Sequence, residues 1–162
     1  MRRRDFISLF VSAAATLSLP AGAQQADRVR RVGIIMTFTS DDPEAQARVA
    51  AFRQALQDFG WSADHNVHFD YRWGAGDFEL NRKNAAELIG LAPDVILATG
   101  TPTLEPLLRA THTVPIVFVQ VPDPVGAGMV ESLSRPGGNA TGFFNPDYDF
   151  AGWVCSRRSH RR

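Results

Sequence analysis

Three short polar segments carry the chemistry that this sequence can offer. They are "FTSDDP" (38–43), "TGTPT" (99–103) and "VPDP" (121–124). In the second, Gly100 lets backbone come close to a ligand, and Thr101 and Thr103 put hydroxyls where a helix begins. Free N–H groups and the dipole at a helix N-terminus favour an anion such as a carboxylate. Thr101 as cap with Pro102 in the first turn also reads simply as a helix start, and the two readings use the same donors. Phe38 supplies a ring for an apolar group. This is the chemistry of recognition.

Signals for bond-making are weak. There is no G-x-S-x-G nucleophile elbow. "GAGDFE" opens like a dinucleotide fingerprint but lacks its third glycine and follows a polar strand. His65 and His68 stand three apart beside Asp64, and on a strand such residues face opposite sides, so they read as a solvent-exposed turn. A single cysteine excludes an internal disulfide framework and a Cys-based zinc site. No catalytic residue, metal ligand or cofactor is expected.

The elements that position these segments alternate. "RVGIIMTF" (31–38) is an apolar run with β-branched residues, as in a strand buried on both faces of a parallel sheet. A helix follows, capped by Asp41 or Asp42 with Pro43 in its first turn, turning Val49, Phe52, Leu56 and Phe59 inward and stopping at Gly60. "VHFDYRW" (67–73) alternates apolar and polar residues, which suits an edge strand. The pattern then repeats: a helix over 77–89, the strand "PDVILATG", a helix from Thr101, the buried strand "VPIVFVQ", a fourth helix over 125–133 and a fifth strand over 140–144. Alternating strands and helices predict an α/β, Rossmann-like (flavodoxin-like) parallel five-stranded sheet with helices on both faces. The polar second strand belongs at an edge, which gives the order 2-1-3-4-5. Ligands of such sheets bind beyond the carboxyl ends of the strands where the order reverses, here between the first and third strands. The three polar segments lie there.

Charge divides the chain. The first ten residues hold three arginines and one acid, and the last twelve hold four arginines and no acid. Between them stand ten basic and sixteen acidic residues, net −6. An acidic body excludes a nucleic-acid-binding face. "MRRRDFISLFVSAAATLSLPAGAQQ" has a basic start, a modest apolar run and the small-residue site Ala21-Gly22-Ala23, which predicts an export signal over 1–23. The paired arginines before Phe6 and Ile7 are similar to a twin-arginine signal. The run is too short to span a membrane, so a periplasmic chain with no membrane insertion after signal removal is expected.

The sequence also resembles a known family, the type I periplasmic substrate-binding proteins of ABC importers, in the branch called tryptophan/tyrosine transport binding proteins. The resemblance runs from Met1 to about Gly152. It rests on the leader, "VGIIM", "AFRQALQDFGW" with "NVHFDYRW", "DVILATGTPT", and above all "VPIVFVQVPDPVGAGMVESLSRPGGNATGF". It implies two Rossmann-like lobes that close on a small molecule and present it to a membrane permease. It implies ligand contacts from Phe38, Thr39 and Ser40, from Thr99, Gly100, Thr101, Pro102 and Thr103, and from Asp123 and Pro124. The implied ligand is an aromatic amino acid or a related small carboxylate. The first lobe would then occupy 24–145. Members of this family are about twice as long, and their chain enters a second lobe through an amphipathic helix. Here "AGWVCSRRSHRR" carries no apolar residue after Val154, where such a helix needs one every three or four positions. Residues 146–162 are therefore expected to be a truncated crossover and an aberrant basic tail, left by a frameshift or truncation, with only a partial half-site remaining. The alternatives are a fragment of a doubly wound α/β enzyme and a non-functional truncated product.

Overall fold

Asp42, not Asp41, starts the first helix. Its carboxylate accepts the N–H groups of Glu44 and Ala45, both at 2.9 Å. In the computed structural model, which describes residues 28–63 and 65–143, eight elements follow in order. They are β1 (Arg30–Met36), α1 (Pro43–Asp58), β2 (Val67–Trp73), α2 (Phe78–Gly90), β3 (Val95–Thr99), α3 (Thr101–Ala110), β4 (Ile116–Val119) and β5 (Ala140–Phe143). The strands form one sheet in the order β2-β1-β3-β4-β5, and every neighbouring pair is parallel. This is the expected topology. The expected leader, Asp64 and the tail from residue 146 lie outside the described residues.

Local chemistry explains the boundaries. Gly60 follows α1 at φ 85°, a left-handed conformation that costs glycine little. Asp77 caps α2 by accepting Leu80 N–H at 2.8 Å. Thr101 does not cap α3 as the sequence suggested. Gly100 holds that position, and Thr101 is already the first helical residue. The expected helix over 125–133 is absent. Pro124 O instead takes the N–H groups of both Met129 and Val130, at 2.9 and 3.3 Å, and Gly128 turns left-handed at φ 68°. The result is a chain of turns that drops Val130 into the core.

The sheet has two unlike faces. One is covered by α2 and α3. Ile35, Ile96, Ala98, Ile116 and Phe118 pack there against Ala85, Leu88, Leu104 and Leu107, with Val130 and Ala140 beside them. Of the described helices, α1 alone lies on the other face. Val32, Ile34, Met36, Ala45 and Val67 form its buried centre, with Val49, Phe52, Phe69, Tyr71 and Trp73 packed around it. An aromatic ladder of Phe69, Tyr71 and Trp73, with ring centroids 6.1 and 6.5 Å apart, extends this second core towards the β2 edge. Burial pushes the Tyr71 phenol above its usual range.

Candidate ligand-binding site

The carboxyl ends of β1, β3 and β4 are tied together by hydrogen bonds. Thr37 N–H donates to Thr99 Oγ1 at 3.2 Å, and Gly100 N–H donates to Val119 O at 2.9 Å. The loop after β2 joins them. Gly74, Ala75 and Gly76 donate their N–H groups to Met36 O, Phe38 O and Thr37 O at 2.8, 3.2 and 2.8 Å. The switch point between β1 and β3 is thus a bonded platform of four loops.

Each expected residue has a definite place on it. Phe38 is half-buried, and the Arg48 guanidinium sits 5.3 Å from its ring centroid. That contact fixes the ring by cation–π attraction. Thr39 and Ser40 are exposed. The Thr39 side chain and the Asp41 backbone together hold the Asp41 carboxyl below its usual range. Ser40 O accepts Gln46 Nε2 at 2.7 Å. Thr99 is buried, its hydroxyl held between Thr37 N–H and Ile35 O. Thr103 is fully buried and donates its hydroxyl to Thr99 O at 2.9 Å. Its side chain locks the helix start rather than facing the crevice. Pro102 is exposed and Thr101 half-buried.

Gly100 is what opens this helix end. Its φ of 77° and ψ of 162° belong to a region that only glycine visits readily. A side chain there would also meet Thr37 Cγ2 at 3.1 Å. Helix starts of the α1 and α2 kind are sealed by an aspartate of their own, whereas α3 has no side-chain cap. Thr103 and Leu104 N–H reach back to Gly100 O at 3.3 and 3.2 Å, and Pro102 has no N–H. The Thr101 N–H and hydroxyl are the groups at this end with no partner among the described residues. The donors that this helix end offers are therefore fewer than the sequence suggested: one backbone N–H and one hydroxyl, at the positive end of α3's dipole.

The loop after β4 is strained. Gln120 and Asp123 are non-glycine residues at φ 58° and 41°. Such conformations cost of order 1–3 kcal/mol each and gather at ligand-handling loops. Asp123 is exposed and closes a turn by accepting Gly126 N–H at 2.8 Å. Pro124 is buried beneath that turn. Sequence reasoning missed Thr37 and Gln120. Thr37 joins the β1 and β3 loops, and Gln120 is the polar residue that ends the apolar run of β4. Both stand one step beyond a strand's carboxyl end, and that position was the available signal. His68 Nε2 lies 3.5 Å from Asp70, and among the described residues no three His, Cys, Asp or Glu side chains gather to hold a metal.

The sequence profile of the ABC transporter substrate binding protein family matches residues 31–148, which include every loop of this platform. The chain belongs to that family. The Tyrosine-binding protein of Clostridioides difficile (strain R20291) is 26% identical over 156 residues, covering 88% of this chain and 45% of that protein. A conserved domain protein from Vibrio cholerae superposes with a TM-score of 0.68 at 31% identity, covering 78% of this chain and 43% of that one. A protein from Streptococcus pneumonia, solved in complex with L-Trp, gives a TM-score of 0.65 at 25% identity, covering 72% and 38%. The chain spans less than half the length of each of these relatives. The described fold is that of a binding-protein lobe; one of these relatives is named for tyrosine and another was solved with L-Trp bound. No described helix is long and apolar enough to cross a membrane.

Proposed function

We propose that this chain is the ligand-contacting lobe of a solute-binding component of an ABC importer, exported to the periplasm and working with a membrane permease. Its ligand is an aromatic amino acid or a related small carboxylate. The observation that carries this reading is the uncapped start of α3, beside Phe38, at the switch point of a chain of this family. The Thr101 N–H and hydroxyl suit a carboxylate, and the Phe38 ring, held by Arg48, suits an aromatic side chain. The tyrosine and tryptophan named for two relatives agree with that pairing.

A single lobe touches one side of its ligand, whereas a closed cleft buries most of a ligand's surface. Affinity for L-Trp or L-Tyr is therefore expected in the millimolar range, about −4 kcal/mol. Amide chemical shifts of the full chain, titrated with L-Trp, L-Tyr and tryptamine, test this. Movement at Thr37, Phe38 and Thr101 with the amino acids, and its loss with tryptamine, supports the reading. No movement at 10 mM L-Trp, on the order of ten times that dissociation constant, refutes it. A micromolar constant would contradict the one-sided site. Recovery of the chain from the periplasmic fraction with its amino terminus near Gln24 would test export.

A further inference from the structure

Asn81 stands in the first turn of α2 and is fully buried. Neither its carbonyl oxygen nor its amide nitrogen meets a hydrogen-bond partner among the described residues. Asn84, three residues on, is satisfied at the end of β2, where it donates to Trp73 O at 3.1 Å. A buried polar group left unpaired costs its full desolvation, and such a group needs a reason. The Asn81 amide lies against Gly74, where a Cβ would collide with its Oδ1. Gly74 opens the turn that leads into α2. Asp77 N–H donates back to Gly74 O at 2.8 Å, and the two residues between them, Ala75 and Gly76, have φ of 48° and 72°. Two positive φ angles are the signature of a type I′ turn, whose first central position favours glycine, asparagine or aspartate. Alanine there is strained. The same turn holds the ligand loop. Of the three bonds that hang residues 36–38 from it, the longest is Ala75 N–H to Phe38 O at 3.2 Å.

A half-turn of the Gly74–Ala75 peptide plane joins these observations. It rotates ψ of Gly74, which glycine permits, and carries Ala75 to a negative, unstrained φ. The Ala75 N–H then leaves Phe38 O and swings to the α2 side, which Gly74 O faces in the present arrangement. There Asn81 Oδ1 can accept it. The flip gives up the Ala75–Phe38 and Asp77–Gly74 bonds. Ala75, Gly76 and Asp77 are exposed, so water takes the freed groups. Relief of strain and of an unpaired carbonyl is of the same order as the loss of two solvent-replaced hydrogen bonds, which brings the two arrangements close in free energy. We propose that the Gly74–Ala75 peptide is a two-state latch on the Phe38 loop, with Asn81 as the positioning residue that seats its open state. Closed, the latch fixes Phe38 O; open, it lets that loop adjust. Its bearing on a ligand rests on the role proposed above for Phe38. The latch itself does not, and its test runs without ligand, so that each can fail alone.

Relaxation dispersion of the backbone amides of the full chain reads the latch, because local opening that breaks hydrogen bonds falls in the microsecond-to-second range. The expected result is exchange at Ala75, Gly76 and Phe38, with none along β3. Asn81→Leu keeps the branched shape but removes the acceptor, and should lower the open population about fivefold, the worth of one hydrogen bond. Ala75→Gly removes the strain of the closed state and should lower it by at least about fivefold. That residue is exposed, so its variant keeps the test valid should N81L impair folding. The proposal is overturned if the wild type shows no exchange at these amides, or if exchange in a folded variant equals that of the wild type. It is also overturned if the Asn81 amide protons show a long-lived bound water, which would mean that the amide is already partnered in the closed state.

Discussion

Phe118 and Val119 are neighbours on β4 and live in different environments. Phe118 is fully buried among α3 and the turns before β5, whereas Val119 looks into an open groove. The apolar run that contains them reads as uniformly buried. Among the described residues, one face of the strand is covered and the other is not.

The sharpest way to break that contrast is truncation on either side of β4. Phe118→Ala should cost about 3–5 kcal/mol, and Val119→Ala less, because the side chain removed is smaller and not fully buried. Urea unfolding of the two variants checks this, and equal losses would mean that the groove is filled in solution. A middle-sized effect separates the helix starts. Asp42→Ala removes the acceptor of two N–H groups and should cost about 1 kcal/mol. Thr101→Ala should change stability by less than about 0.5 kcal/mol yet weaken the L-Trp-induced shifts. If Thr101→Ala unfolded the chain as strongly as Asp42→Ala, that residue would be a structural cap and not a ligand contact.

A smaller effect belongs to the opposite end of the sheet. Asp94 accepts Arg31 N–H at 2.8 Å and the Arg30 guanidinium at 3.0 Å. The Arg31 backbone bond, ahead of the arginine charges, holds its carboxyl below the usual range. A lowered folded pKa contributes stability that is present above the unfolded value, about 3.9, and lost as pH falls through the folded one. The stability gap between the wild type and Asp94→Asn should therefore be fullest above about pH 5 and close towards pH 3. A gap that did not change with pH would remove the carboxylate's role. The smallest expected change in stability is at Phe143→Ser, near zero, because that ring already faces water. Its effect should appear in solubility, since one large apolar group leaves an exposed patch. Light scattering during concentration would show it.

Much of the lobe was legible in the residues. The continuous apolar run of β1 against the alternating pattern of β2 placed β2 at the edge, and an aspartate before the apolar rhythm marked α1. The helix expected over 125–133 failed because Gly126 and Gly128 sit inside an apolar rhythm too short to enforce a helix, and Pro124 O captured the N–H groups that would have propagated it. Thr103 was read as a ligand hydroxyl, but its place one turn into α3 lets it reach Thr99 O first. Asn81 and Asn84, at helix positions that periodicity leaves polar, are nonetheless buried. Asn84 reaches Trp73 O at 3.1 Å, and Asn81 lies against Gly74, which has no room for a side chain there.

Sequence by itself determined the βα order, the edge strand, the loops that gather at the switch point and the family. These depend on local apolar rhythm, on caps and on motif identity, all of which are written along the chain. Tertiary structure alone decided which face of each strand is covered, which threonine hydroxyl stays free and how Gln120 and Thr37 enter the site. Burial and hydrogen bonding are settled by what lies across the sheet, and residues far apart in sequence supply it.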